Sequence, residues 1–323
     1  YFVSGGYNFI KGNVIESDFE NLTFRVNLNT NINERIRIGN NFTASRINSN
    51  IIKSSENSGG SGAGVILASL IFNPTIPVYE DDGSYNLINE PGGQPNPIAT
   101  AKEITNQTEK YNYLNNLYGE IDLTDGLTFR TDLGININNT RENFFRPDFI
   151  QIVTPLNEAS VGRLDRTNWV SNSILRYEKE FRAFGSVPQR YDVTLGFTRE
   201  NTSREYLFGS AQGFPVNELE YYNLSAGEQF SSPNTFEESS DLVSYLTRIN
   251  YRLNNRYLFT FSGRIDGSSR FGSGNKYGFF PSGAIAWNMA EEGFINEIDL
   301  INELKLRLSY GVTGNQEIGN YKA

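Results

Sequence analysis

The chain has 323 residues with a net charge of −9 and a mean hydropathy of −0.45, and no stretch approaches the roughly 20 apolar residues of a membrane helix. It has no Cys and no His, which excludes thiol nucleophiles, His-based triads, disulfide scaffolds and thiolate or imidazole metal sites. The acidic balance argues against a nucleic-acid partner, and nothing in the composition points to a cofactor.

Period-two alternation of apolar and polar residues dominates the chain and predicts β-strands. The clearest runs, in chain order, are Leu22 to Leu28, Leu127 to Ile137, Tyr191 to Phe197, Val243 to Leu253 and Leu304 to Tyr310. We count about eleven such strands, several of them at least 11 residues long. Globular strands usually have about 5–6 residues, whereas a tilted membrane-spanning strand needs about 9–11. Strand length therefore predicts an all-β, antiparallel transmembrane β-barrel fragment.

The connections between these runs are of two kinds that follow one another in turn. The short ones lie at Asn33-Glu34, Asp125-Gly126 and Asn254-Asn255 and predict tight hairpins. The long ones cover roughly residues 49–108, 146–166 and 210–240. Outer-membrane barrels have short periplasmic turns and long extracellular loops, so we expect the long connections to face outside. The stretch from Ala290 to Asn302 is the main exception and predicts a short helix on the periplasmic side.

Aromatic residues are abundant, with 18 Tyr and 23 Phe. Many lie near predicted strand ends: Tyr111, Tyr113, Phe144, Phe145, Tyr206, Phe208, Tyr257, Phe279 and Trp287. Aromatic girdles at the lipid headgroups would explain these positions. The high β-propensity of Tyr and Phe is the alternative explanation.

The last third of the chain carries a succession of short motifs in a recognisable order. They are Tyr245-Leu-Thr-Arg-Ile-Asn-Tyr251, Asp266-Gly-Ser-Ser-Arg-Phe-Gly272, Phe280-Pro-Ser282, Leu304-Lys-Leu-Arg-Leu-Ser-Tyr-Gly311 and Thr313-Gly-Asn-Gln316. Their order and spacing resemble the SusC/RagA family of TonB-linked outer-membrane proteins of Bacteroidetes. Weaker matches, such as Phe24-Arg-Val-Asn-Leu28 and Gly213-Phe-Pro215, extend the resemblance across nearly the whole chain.

The resemblance implies a barrel of about 22 strands with a plugged lumen in the outer membrane. Members of the family import oligosaccharides or peptides, with a SusD-like surface lipoprotein as a lid and energy from the TonB complex. Residues 1–323 would then be the N-terminal half of the barrel. The plug, the TonB box and the remaining strands would lie outside this chain.

Substrate contacts are expected from loop aromatics and from polar groups of the lumen. The candidate aromatic residues are Tyr79, Tyr85, Tyr221, Tyr222 and Phe230, although loop packing is the commoner role for any one of them. Asp266 and Arg270 are further candidates for ligand binding. The alternative for their segment is a structured strand exit in which Asp and Ser bond their own backbone.

No catalytic or metal-binding residues are predicted. Glu237-Glu238 and Glu291-Glu292 are sequence neighbours, and adjacency does not provide the facing geometry that glycoside hydrolysis needs. Glu80-Asp-Asp-Gly83 is interpreted as a solvated acidic turn rather than a calcium site. Two rival functions remain: a soluble or surface carbohydrate-binding β protein, and a secreted β-rich enzyme. Strand length and the asymmetry of the connections argue against both.

Overall fold

The computed structural model describes residues 1–52, 64–87, 95–150, 156–183, 187–296 and 300–320. These residues form one large antiparallel sheet. Its strands are β1 (Phe2–Lys11), β2 (Asp18–Asn31), β3 (Ile36–Asn50), β4 (Thr105–Thr124), β5 (Leu127–Arg146), β6 (Glu158–Ala183), β7 (Val187–Gln212), β8 (Gln229–Phe230), β9 (Asn234–Leu253), β10 (Tyr257–Ser268), β11 (Tyr277–Asn288) and β12 (Lys305–Gly311). The helices are α1 (Val65–Ile71), α2 (Pro97–Glu103) and α3 (Gly293–Asn296), with short 3₁₀ turns at Asp148–Ile150, Asn217–Leu219, Leu224–Ala226 and Met289–Glu291.

The sheet is a meander in which each long strand pairs with the next one along the chain. Eleven strands form this continuous path, and the two-residue β8 pairs with the end of β7 beside it. The prediction of about eleven membrane strands is thereby confirmed. Among the described residues, β1 and β12 each leave one edge without a partner strand.

The register gives the sheet two chemically different faces. One row across five neighbouring strands reads Leu308, Ile285, Phe259, Tyr251 and Tyr191. The adjacent row, whose side chains point to the opposite side, reads Ser309, Ala284, Thr260, Asn250 and Asp192. Since side chains alternate across a strand, all five alternating runs of the sequence present their apolar residues on one common side. We call the two sides the apolar face and the polar face.

The apolar face is not covered by protein. Leu195 is 45% exposed, Phe261 56% and Ile285 50%. Most of the few buried apolar residues lie elsewhere, in the connections or at one end of the sheet. An uncovered apolar face of this size is what a membrane strand presents to lipid and what a soluble β protein avoids.

The tight hairpins are confirmed. Asn254 and Asn255 have positive φ values of 50° and 54°, and the Arg256 N–H donates to the Leu253 carbonyl at 3.0 Å, which closes a tight turn between β9 and β10. Gly126 takes φ 76° in the β4–β5 turn, and the Asn33 side chain accepts the backbone N–H groups of Arg35 and Ile36. All these turns lie at one end of the sheet, the short-turn end.

The long connections lie at the opposite end, the long-loop end, but all three are shorter than predicted, the first only slightly, since β3 ends at Asn50 and β4 begins at Thr105. The predicted loop 146–166 shrinks to residues 147–157, and the predicted loop 210–240 shrinks to 213–233. The residues gained by β6 and β9 do not follow the alternation of the rest of the sheet. Arg163 and Asp165 lie on the apolar side with Leu164 on the polar side between them, and Glu237-Glu238 puts a carboxylate on each side. Period-two alternation therefore could not reveal them, because both faces of these strand ends meet water.

The stretch from Ala290 to Asn302, the predicted exception to the short turns, lies at the short-turn end. The described part of residues 289–304 contains a 3₁₀ turn and α3, so a short helix is present, and among the described residues it covers Gly293–Asn296. Ile298, which belonged to that prediction, lies outside the described residues. No helix in the described part of the chain is long and apolar enough to cross a membrane.

Candidate functional site

The polar face carries a chain of ion pairs near the short-turn end. Arg37 on β3 pairs with Glu120 at 2.7 Å and with Asp122 at 2.8 Å, both on β4. Arg130 on β5 pairs with Asp132 at 2.7 Å and approaches Glu120 at 3.5 Å. Each of these side chains is 15–39% exposed. The two guanidinium groups are therefore paired with three carboxylates along a partly wet wall.

The network continues across the next strands. Arg176 on β6 pairs with Asp192 on β7 and with Glu178. Arg190 on β7 pairs with Glu178 and, at 2.9 Å, with Glu180. Such a density of charges against lipid would be strongly unfavourable, so this face has the chemistry of an aqueous lumen.

Aromatic residues divide between the two faces. By register, Tyr111, Tyr113, Tyr257, Phe279 and Trp287 lie on the apolar face, as a girdle requires. Phe144, Tyr206 and Phe208 lie on the polar face, so the girdle prediction was wrong for them. Phe145 is on the apolar side but only 4% exposed. Proximity to a strand end did not predict their roles, because β5 to β7 continue well beyond the apolar part of the sheet.

The misassigned Tyr206 belongs to an aromatic cluster that the sequence did not predict. Its ring stacks on Phe236 with centroids 5.3 Å apart, and the Arg204 guanidinium lies 5.2 Å from the Phe236 centroid. These residues are on the polar face at the long-loop end. Tyr206 is an even number of positions from Asp192 on β7, and Phe236 is an even number from Asn250 on β9. This spacing, which places residues on the same face of a strand, was the one feature of the sequence that indicated the polar face for both rings.

Tyr79 and Tyr85, two of the candidate loop aromatics, contact each other in the long connection between β3 and β4. Their rings stack with centroids 5.4 Å apart. The Tyr85 hydroxyl donates to Glu103 at the end of α2, and burial together with this contact raises the pKa of Tyr85 to about 12. Tyr79 is 43% exposed, so one ring of the pair is open to a ligand while the other is anchored.

Tyr221 and Tyr222 also contact each other, with ring centroids 4.4 Å apart. Tyr221 packs on the buried cluster of Phe145, Ala159, Ala211 and Phe214, and burial raises the pKa of its hydroxyl. In the sheet, the first three of these four residues belong to the apolar side. The contact with this buried cluster favours a packing role for Tyr221. Tyr222, in contrast, is 75% exposed and remains accessible to a ligand.

Phe230 lies in β8 and is 63% exposed.

The acidic turn Glu80-Asp-Asp-Gly83 uses its own polar groups for local hydrogen bonds. Asp82 accepts hydrogen bonds from the backbone N–H and the hydroxyl group of Ser84, and these bonds lower the pKa of Asp82. Among the described residues no cluster of acidic side chains has the arrangement of a metal site.

Asp266 and Arg270 lie at the long-loop end of β10. Asp266 accepts a hydrogen bond of 2.6 Å from Arg264, which also donates to Ser244. Ser268 accepts the backbone N–H of Arg270, as the structured-exit alternative describes, whereas Ser269 accepts the N–H of Asp241 on β9. Arg270 donates to the Gln316 carbonyl at 3.3 Å, which joins two motifs that are 46 residues apart.

The segment after β12, residues 312–320, turns back across the polar face, and we call it the strap. Val312 donates to the Pro281 carbonyl, and Asn320 donates to Glu238 at 3.2 Å. A Cβ on Gly314 would overlap the Phe280 ring, so glycine allows the strap to lie directly on this side chain. Between the strap, β10 and β11 is a cavity of about 480 Å³.

The comparisons with known proteins agree with this geometry. The chain is 35% identical over its whole length to TonB-dependent receptor P3 of Formosa agariphila, and it covers 32% of that protein. It is 30% identical over 99% of its length to TonB-dependent receptor SusC of Bacteroides thetaiotaomicron, again covering 32%. The chain is related to the SusC-type TonB-dependent receptors. No protein-family model matches it.

The solved structure of the RagAB peptide transporter gives the same result. It is 25% identical, aligns with a TM-score of 0.80, and covers 99% of this chain and 36% of that one. The RagAB importer in its closed-closed state aligns with a TM-score of 0.77 over 94% of this chain and 34% of the other, which supports the fold. The chain thus spans about a third of the relatives it matches.

SusC-type TonB-dependent receptors are outer-membrane β-barrels. The sheet of this chain has the strand lengths, the uncovered apolar face and the alternation of short and long connections that such a barrel requires. The chain is therefore a barrel segment of the outer membrane.

Proposed function

We propose that this chain forms part of the wall and the external loops of a TonB-energised importer of nutrient oligomers. Residues 1–323 would supply the first half of the barrel. The single observation that carries the proposal is the two-faced sheet: an uncovered apolar face backs onto a face of mutually paired charges.

The chemistry of the two faces explains why the proposal is import rather than enzymatic turnover. The polar face offers a wet surface of paired charges along which a polar solute passes without losing all its hydrogen bonds. The carboxylates of Glu120, Asp132 and Asp192 are each held in an ion pair with an arginine, which favours a structural role for them over a catalytic one. The relatives bear the names of receptors and a transporter.

The proposed partners are a SusD-like surface lipoprotein and the TonB complex, the latter through parts of the protein outside this chain. The proposed cargo is an oligosaccharide or a peptide. The relative called RagAB is a peptide transporter, while the loop tyrosines Tyr79 and Tyr222 expose rings suited to sugar stacking.

Deletion of the gene in its native host tests the proposal. Growth on a panel of oligosaccharides and peptides should fail for one nutrient class, and a full-length gene lacking only its TonB box should not restore it. A tagged full-length receptor should retain a surface lipoprotein on purification in detergent. Normal growth on every nutrient of the panel would contradict the proposal, as would a full-length protein that is monodisperse without detergent.

A further inference from the structure

A group of arginines lies on the apolar side of the sheet, just beyond the apolar residues at the long-loop end. It consists of Arg46 on β3, Arg141 on β5 and Arg163 on β6, with Tyr111 on β4, and we call it the rim patch. In the register all four residues belong to the apolar side. The guanidinium groups of Arg46 and Arg141 lie 5.8 and 5.7 Å from the centroid of the Tyr111 ring, and such cation–π contacts restrict where they can lie.

Strand geometry places the rim patch at the level of the lipid headgroups. The run from Leu127 to Ile137 on β5 spans about 25 Å along the membrane normal, at a rise of about 3.3 Å per residue and a tilt of about 40°, which is the usual height of the apolar band. Arg141 follows Ile137 by four residues, so its backbone lies about 10 Å above the band. Since long basic side chains lay their stems along apolar surface and keep their charge in the polar layer, the guanidinium groups meet headgroups rather than hydrocarbon.

Two arginines of the rim patch face each other without a counter-ion. Arg141 and Arg163 are direct partners in the register of β5 and β6, and like charges in such positions destabilise a sheet. Glu109 is the partner of Arg141 on its other side, but its carboxylate binds Arg46 at 2.9 Å. Among the described residues, Arg163 donates to the neutral oxygens of an amide and a main-chain carbonyl, and Arg141 contacts the Tyr111 ring. The pair therefore has two positive charges and unused N–H donors.

The other carboxylates on this side do not neutralise the pair. Asp165 lies two residues beyond Arg163, and its carboxylate accepts a hydrogen bond from Asn139. Glu205 is a diagonal neighbour of Arg163 on β7, and no ion pair joins the two in the described part of the chain. An anion from outside the protein is therefore needed to relieve the repulsion between the two arginines.

We propose that Arg141 and Arg163 bind the phosphate group of a lipid A glycolipid in the outer leaflet of the outer membrane. Guanidinium groups match phosphate oxygens in geometry and bind them through pairs of N–H donors. The position selects a lipid, because the rim patch is on the apolar side, at the height where lipid phosphates are concentrated. This inference goes beyond import and concerns how the barrel is held in its membrane. It rests on the outward orientation of the long loops, which cysteine labelling tests separately.

Native mass spectrometry of the full-length protein in detergent, titrated with monophosphoryl lipid A, tests the site. The unaltered protein should bind this lipid saturably, and should bind the enzymatically dephosphorylated lipid about tenfold or more weakly. The double variant Arg141→Gln/Arg163→Gln should lose about as much affinity for the phosphorylated lipid, and should no longer distinguish the two lipids. The matched control Lys110→Gln/Arg166→Gln removes two positive charges from the polar face of β4 and β6 and should bind as the unaltered protein does.

Heat-modifiable migration on gels first verifies that each variant assembles. If the double variant does not assemble, the single variant Arg141→Gln replaces it and should bind about threefold or more weakly. Equal binding of the phosphorylated and dephosphorylated lipids overturns the proposal, and so does an unchanged affinity of the assembled arginine variant. An equal loss in the matched control would mean that net charge alone attracts the lipid, which also overturns it. Displacement of the lipid by an equal concentration of inorganic phosphate would show a site for the free ion and would contradict the lipid assignment.

Discussion

Arg37 on β3 donates two hydrogen bonds to the carboxylate of Asp122 on β4, each of 2.8 Å. This bidentate pair joins residues 85 positions apart and lies on the polar face. The next residue, Ile38, points to the opposite face and is 38% exposed. Consecutive residues of β3 therefore place a paired charge on one face, Arg37, and an uncovered apolar side chain on the other, Ile38.

Asp132 and Leu133 on β5 allow the same contrast near the middle of the apolar run from Leu127 to Ile137. We expect Asp132→Asn to assemble normally, because Arg130 retains Glu120 and the face is wet. Leu133→Arg should prevent assembly, since a cation at mid-bilayer costs roughly 2–4 kcal/mol. Heat-modifiable migration of the full-length barrel measures assembly. Equal tolerance of both changes would contradict the assignment of the faces.

Two substitutions of Leu306 on β12 distinguish whether lipid or packed protein surrounds this side chain. The residue is 62% exposed and lies beside Trp287 in the register. Leu306→Arg should damage assembly, whereas Leu306→Phe should be tolerated against fluid lipid. A packed core would typically lose about 1–3 kcal/mol from the larger ring. Equal failure of the two variants on the same gels would mean that protein, not lipid, covers this face.

The alternation of connections predicts sidedness. Single cysteines at Asp81 and Ser231, both exposed in long loops, should react with an impermeant maleimide on intact cells. Cysteines at Glu34 and Asp125, exposed in the short turns, should react only after the outer membrane is permeabilised. The opposite pattern would invert the proposed orientation.

Glu292 gives the short-turn end a defined pH response. Its carboxylate accepts hydrogen bonds from Tyr257, Trp287 and Arg256, and the Tyr257 contact is the main reason that the pKa of Glu292 lies below its ordinary value of 4.5. A lowered pKa means that these bonds stabilise the fold above pH 4.5 and are lost as the pH falls through the lowered value.

The ¹⁹F resonance of 5-fluorotryptophan at position 287 reports this loss. In the full-length protein, with the signal assigned by Trp287→Phe, it should shift with a midpoint below pH 4.5. Glu292→Gln should abolish that shift. A titration that survives in the Gln variant would show that another group is responsible.

Much of the fold follows from the sequence because neighbouring residues of a barrel strand face different environments, lipid on one side and water on the other. The run from Leu127 to Ile137 shows this alternation clearly. Where both solvents are water, as around Arg163 and Glu237, alternation carries no information, and the strand ends were misplaced. The hairpin at Asn254-Asn255 was predictable because its positive φ values favour asparagine.

The candidate site was less predictable because it depends on contacts between distant segments. Nothing in the local sequence of Arg270 indicates that it binds Gln316, and nothing near Tyr206 indicates that it stacks on Phe236. Tyr221 was selected by residue type alone, and its packing on Phe214 depends on how the loop folds back.

The central claim is that the apolar face meets lipid and the polar face meets water. Spin labels placed one at a time at positions 127–137 of the full-length protein in bilayers test it most directly. We expect collision with oxygen to be high at odd positions and collision with a water-soluble nickel complex to be high at even positions, with a period of two. High collision with the nickel complex at both odd and even positions would contradict the account.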